Sequence, residues 1–140
     1  MSSEQFYHDG IAKLLLDDPR YTEDAYHFVR DTVEFAAHQL QRDAGRSQHI
    51  SGSELLDCMR MYALQEYGPM AHTVLTTWGI TKTDDFGNIV FALISQKLLR
   101  ASKDDAIEHF QNGFDFPDAF DQPFIPDSDG EPFNLPKLDA

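Results

Sequence analysis

Residues 78–90 read WGITKTDDFGNIV, and the way this stretch divides decides the fold. Upstream of it, Met70, Ala71, Val74, Leu75 and Trp78 recur at helical spacing, so a short fourth helix is predicted to end at Trp78. Gly79 suits the left-handed backbone that closes a helix, and Ile80 is then placed to pack back on Leu75. Asp84 and Asp85 open the next helix, because carboxylates are favoured at the positive end of the helix dipole. That fifth helix is predicted from about Thr83 to Leu98, with Phe86, Ile89, Val90, Leu93 and Ile94 inward.

Helix, glycine turn, helix and then the extended-looking Leu98-Leu99-Arg100 resemble a winged-helix domain, in which the second helix enters the major groove. The turn runs a residue or two long for that family, and Leu75 stands where a small residue is usual. The chemistry is also opposed. Asp84 and Asp85 occupy the end of the helix that should approach phosphates and base edges, where carboxylates repel nucleic acid.

The charge distribution points the same way. The formal net charge is -13. Residues 1–46 hold nine acids and five bases, residues 47–103 five of each, and residues 104–140 ten acids against Lys137 alone. Affinity for a phosphate backbone or an anionic membrane surface comes from clustered Lys and Arg, which no segment supplies. Nucleic acid is therefore an unlikely partner and membrane is not expected. The N-terminus lacks the positive-then-apolar order of a signal peptide, and no apolar run is long enough to span a bilayer. The expected location is the cytoplasm. The single cysteine, Cys58, leaves nothing for an internal disulfide or a Cys-rich zinc site.

Working outward, a first helix is predicted from about Ser3 to Leu16, with Phe6, Tyr7, Ile11, Leu14 and Leu15 at helical spacing and Asp18-Pro19 as its stop. Thr22 can cap a second helix reaching about Gln41, whose stripe is Tyr26, Val29, Val33, Ala37 and Leu40. Ser51 and Glu54 have the spacing of a capping box, with Ile50 and Leu55 placed as a hydrophobic staple. The third helix should end near Tyr67-Gly68-Pro69. Residues 99–110 read either as a hairpin turning at Lys103-Asp104-Asp105 or as a sixth helix capped by Ser102, and the spacing of Ile107, Phe110 and Phe114 favours the helix.

From about Asp115 the character changes. Residues 115–140 hold five of the seven prolines, with Phe116, Phe120, Phe124 and Phe133 set among acids. Proline at that density breaks helices and central strands, so an extended tail is predicted. Phe116, Phe120 and Phe124 are the candidate interaction residues. They either anchor in a groove of a partner or a second copy, or fold back over their own domain, which the hazard of free aromatic rings in water favours.

Other chemistry is sparse. His27, Asp31, Glu34 and His38 fall on one stripe of the second helix and are all metal-ligand types. A helical metal site usually recruits a second helix with Glu-x-x-His, and Glu34 and His38 are four apart with no partner motif. Ordinary surface pairing explains the stripe better. Cys58 sits mid-helix as a small hydrophobe, Ser51 and Ser53 are explained by capping, and no Gly-rich phosphate loop occurs. DSDGE at 127–131 lacks the spaced acids and closing Glu of a calcium loop. No catalytic residue, cofactor or metal is assigned.

The stretches YTEDAYHFVRDTV, HISGSELLDCMRMYALQEYGPMAHTVLTTWGI and TKTDDFGNIVFALI resemble a bacterial family of small proteins with no assigned function. The resemblance covers about residues 19–115 and is most specific from His49 to Ile94. It implies a bacterial, cytoplasmic, single-domain protein and brings no site residues with it.

The expected fold is mainly α: a compact domain of five or six helices over residues 1–114, with room for a winged-helix-like arrangement within 50–110, then an extended acidic aromatic tail over 115–140. The expected role is a non-enzymatic protein–protein interaction module that binds a protein partner or itself, a homodimer included. Two alternatives stand beside it: a winged-helix-like transcriptional regulator binding DNA as a dimer, and a metal-dependent enzyme using the His27–His38 stripe.

Overall fold

The computed structural model describes residues 2–40, 50–100 and 106–125. Among these are five α-helices and no strand: α1 (Ser3–Asp17), α2 (Glu23–Gln39), α3 (Gly52–Tyr67), α4 (Ala71–Thr77) and α5 (Thr83–Ser95). Short 3-10 turns cover Gly68–Met70, Ile107–Phe110 and Gln122–Phe124, and one π turn covers Pro117–Asp121. No described helix is long and apolar enough to cross a membrane.

The ends of the helices are fixed by local chemistry. The Gln5 N–H donates to the Ser2 hydroxyl at 3.1 Å and so caps α1. At α3 the capping box is complete: Ser51 N–H donates to the Glu54 carboxylate, and Glu54 N–H to the Ser51 hydroxyl, each at 3.1 Å. Thr22 precedes α2 in extended backbone as an N-cap should, but its side chain makes no capping bond.

α4 closes as the sequence requires. Gly79 takes φ +96°, its N–H donates to Thr76 O at 3.0 Å, and Ile80 N–H donates to Leu75 O at 2.9 Å. Those two bonds define a Schellman motif, and the side chains of Ile80 and Leu75 are both fully buried. The end of α5 repeats the geometry with Lys97 at φ +61°, where the motif usually has glycine. Here the helix stops at Ser95, short of the predicted Leu98, because the turn draws Leu98 back toward α1: a Cβ on Gly10 would touch the Leu98 side chain.

α2 is central, packing against α1, α3 and α5. Its buried arc is therefore wider than the predicted stripe and adds Ala25, Phe28, Thr32 and Ala36. Two residues expected inward face water instead: Phe6 on α1 and Met70 before α4. The neighbouring Tyr7 and Ala71 take the inward positions.

After α5 the described chain resumes at Ala106, and Lys103-Asp104-Asp105 and Ser102 lie outside it. Ile107–Phe110 forms one 3-10 turn, with Phe110 buried beside Phe86 and Ile107 exposed, so the described part supplies neither a strand of a wing nor a full sixth helix. Residues 115–125 differ from the extended tail that the sequence predicts. Pro117 opens a π turn, a position where its missing N–H leaves no bond unmade, and the turn lies against α3 and α4.

Candidate functional site

The three tail phenylalanines are inside the protein. Phe116, Phe120 and Phe124 are 2%, 0% and 8% exposed, and Phe116 meets Phe120 edge-on at 5.0 Å between ring centroids. Phe114 stacks on Phe116 at 5.8 Å. A polar latch holds the turn from outside: the His72 Nδ1–H on α4 donates to Asp121 at 2.7 Å, with the His72 ring edge-on to Phe116. The chain's own domain covers these side chains, which fits the fold-back alternative.

The His27, Asp31, Glu34, His38 stripe disperses. Among the described residues no group of three or more His, Cys, Asp and Glu side chains converges as a metal site would. His27 turns toward α1, where its Nδ1 and the Tyr7 hydroxyl share a hydrogen bond of 2.8 Å while Nε2 lies 3.6 Å from Glu23. Glu34 and His38 are exposed.

His27 thereby lines an open cleft of about 450 Å³ between α1 and α2, with Ser3, Glu4, Tyr7, His8 and Arg30 as the other walls. The Arg30 guanidinium lies 4.3 Å over the Tyr7 ring. Burial raises the Tyr7 phenol above its usual value against the opposing pull of Arg30, so Tyr7 stays protonated at neutral pH.

A second surface is aromatic. Phe35, Tyr62, Phe28 and Trp78 form a chain of rings with successive centroids 5.2, 5.8 and 5.8 Å apart, and Tyr67 joins edge-on to Trp78 at 5.5 Å. Phe28 is buried; Phe35, Tyr62, Tyr67 and Trp78 are half-buried and keep part of each ring in water. Carboxylates ring this face. Burial raises the phenols of Tyr62 and Tyr67, and the surrounding anions add to it: Asp31, Glu66 and Glu34 at Tyr62, and Glu66, Asp31 and Asp24 at Tyr67. The sequence reading named none of these rings as a site. Phe28 and Phe35 lie two turns apart on α2, but only the α2–α3 packing reveals that Tyr62 and Tyr67 complete the row.

The N-terminal end of α5, the candidate DNA-reading helix, is occupied by the chain itself. Asp85, 9% exposed, accepts the Tyr21 hydroxyl at 2.7 Å and the Thr81 N–H and hydroxyl, each at 3.0 Å. Thr83 accepts the Gly113 N–H at 2.9 Å and Asp84 the Asn112 N–H at 3.3 Å. The carboxylates that open this helix thus face its own turn, Tyr21 and the 112–113 loop.

Fold and surfaces together define a small all-α protein with an aromatic, acid-rimmed face and a separate polar cleft. No family model, curated protein or solved structure matches the chain.

Proposed function

We propose that this protein is a non-enzymatic protein-interaction module that docks a basic partner on the Phe35–Tyr62–Tyr67–Trp78 face. The observation that carries the reading is the pairing of four half-exposed rings with the carboxylates of Asp24, Asp31, Glu34 and Glu66. A ring face attracts a cation electrostatically, by about 0.5–2 kcal/mol according to exposure. An adjoining carboxylate then completes the seat for a Lys or Arg side chain. Aromatic rings are also the side chains that dominate protein docking energies. A second copy of this chain suits the face less well, because a self-complementary contact would bring these acids against themselves in a chain of net charge -13.

The test uses Trp78, the only tryptophan, as its own reporter. Full-length protein titrated with an arginine-rich amphipathic peptide should give a saturable change in Trp78 emission that weakens with salt. Glu66→Gln and Asp24→Asn should each weaken binding about two- to fivefold, the range of an exposed ion pair. Glu108→Gln, on the 3-10 turn after α5, should not. Absence of any emission change at low salt, or equal sensitivity to all three substitutions, overturns the reading. Light scattering of the free protein tests the homodimer alternative directly.

A further inference from the structure

The aromatic face leaves the cleft between α1 and α2 without a role, and its chemistry is of a different kind. The Arg30 guanidinium carbon lies 4.3 Å from the centre of the Tyr7 ring, a contact that helps hold its charge at the cleft wall. Among the described residues Arg30 makes one hydrogen bond, a long one of 3.4 Å to Asp31. By contrast, Arg20 spends its fork on Asp18 in a bidentate pair with bonds of 2.8–3.1 Å. A guanidinium whose only described partner is one long bond keeps most of its donors for a planar oxyanion.

The imidazoles of His8 and His27 line the same cleft, and the Tyr7–His27 hydrogen bond fixes the His27 ring. The volume of about 450 Å³ falls within the range of small-molecule sites. Charge limits the occupant. Glu4 is part of the wall, and Glu23 and Asp31 lie close enough to act on Tyr7. Asp31 already sits 3.4 Å from Arg30, so a single carboxylate binds by taking over the fork from Asp31, and a doubly charged anion would meet all three acids.

We propose that this cleft binds a small molecule through a carboxylate group, held by the Arg30 fork and flanked by His8 and His27. The site shares Asp31 with the rim of the aromatic face, but its occupant is a metabolite-sized acid rather than a protein.

The experiment follows the His8 and His27 ring signals by NMR in full-length protein at constant ionic strength, titrating acetate, inorganic phosphate or chloride. The expected result is a saturable shift with acetate, a weaker one with phosphate and none with chloride. Arg30→Gln should abolish the acetate shift, and Arg30→Lys, which keeps the charge and loses the fork, should weaken it severalfold. Arg60→Gln on α3 should leave it intact. His8→Gln, at an exposed position, should weaken acetate binding without disturbing the fold, so the proposal stays testable if substitution of Arg30 unfolds the protein. Equal shifts with chloride would mean unselective anion binding. That outcome, or an acetate shift that survives both Arg30→Lys and His8→Gln, overturns the proposal.

Discussion

Tyr21 donates its hydroxyl to Asp85 at 2.7 Å across 64 positions of sequence, and Asn88 in turn donates to the Tyr21 oxygen at 3.1 Å. The bond ties the approach to α2 to the first turn of α5. Because Asp85 is nearly buried, its second oxygen is satisfied as well, by the N–H and hydroxyl of Thr81. Tyr21→Phe removes one donor from a buried carboxylate and strands the Asn88 amide. The expected loss is about 1–3 kcal/mol, measured by urea unfolding.

The same tyrosine sets an alkaline limit. Burial pushes the Tyr21 phenol up to about 12, with the Asp85 contact adding to the rise and Asn88 opposing it. Burial raises the other four tyrosines, Tyr7, Tyr26, Tyr62 and Tyr67, in the same direction. A raised folded value means that the folded state keeps its phenol protons longer than the unfolded chain, which releases them near pH 10. For Tyr21 the resulting stabilisation is complete below about pH 10 and disappears as pH climbs through about 12. Tyrosinate absorbance should therefore appear together with loss of helical circular dichroism, rather than ahead of it. Five phenols titrating at their ordinary value in a still-helical protein would contradict this.

Two helix ends with the same geometry predict opposite responses. Gly79 holds φ +96°, and a Cβ there would be driven into the Arg20 carbonyl oxygen. Gly79→Ala should destabilise by more than about 1 kcal/mol, up to about 3. Lys97 holds φ +61° with an L side chain in place, so Lys97→Gly relieves backbone strain that the unfolded chain does not carry. A gain of about 0.5–1 kcal/mol remains after the extra unfolded-state freedom of glycine is subtracted. Thermal melts of the two variants should move in opposite directions.

These helix ends also mark what the sequence makes legible. The Ser51–Glu54 box and the Leu75–Gly79–Ile80 stop are read from residues within six positions of each other, and both form as expected. Phase and partners are less accessible. Helical spacing places Phe6 and Tyr7 together, and only the packing of α1 decides that Tyr7 turns inward. Proline density rules out a long helix after Asp115, yet one turn beginning on Pro117 needs no N–H from that residue, so the tail starts as a turn. The aromatic face and the cleft join residues from different helices, and no local pattern announces either.

The tail gives a prediction that separates a structural role from a docking one. Phe120 is fully buried, with Phe114 and Phe116 edge-on to it at 5.8 and 5.0 Å. Phe120→Ala should cost about 3–5 kcal/mol, the range for emptying a phenylalanine site in a core. Ile125, 54% exposed at the end of the described tail, serves as the control, and Ile125→Ala should fall within about 0.5 kcal/mol of the parent. Equal and small effects would mean that the tail rests on the domain without contributing to its core.

Tyr26 supplies the counterpart to Tyr21. Its ring is fully buried, edge-on to Tyr21 at 6.4 Å, and its hydroxyl has no hydrogen-bond partner among the described residues. A buried hydroxyl without a partner loses its bonds to water on folding and recovers nothing in exchange. Removing it leaves the apolar packing of the ring in place. Tyr26→Phe should therefore be neutral or stabilising by up to about 1–2 kcal/mol, where Tyr21→Phe destabilises. Urea unfolding of the two single variants and of the double variant checks both signs. A loss of stability in Tyr26→Phe as large as that in Tyr21→Phe would show that the Tyr26 hydroxyl is bonded in the folded protein.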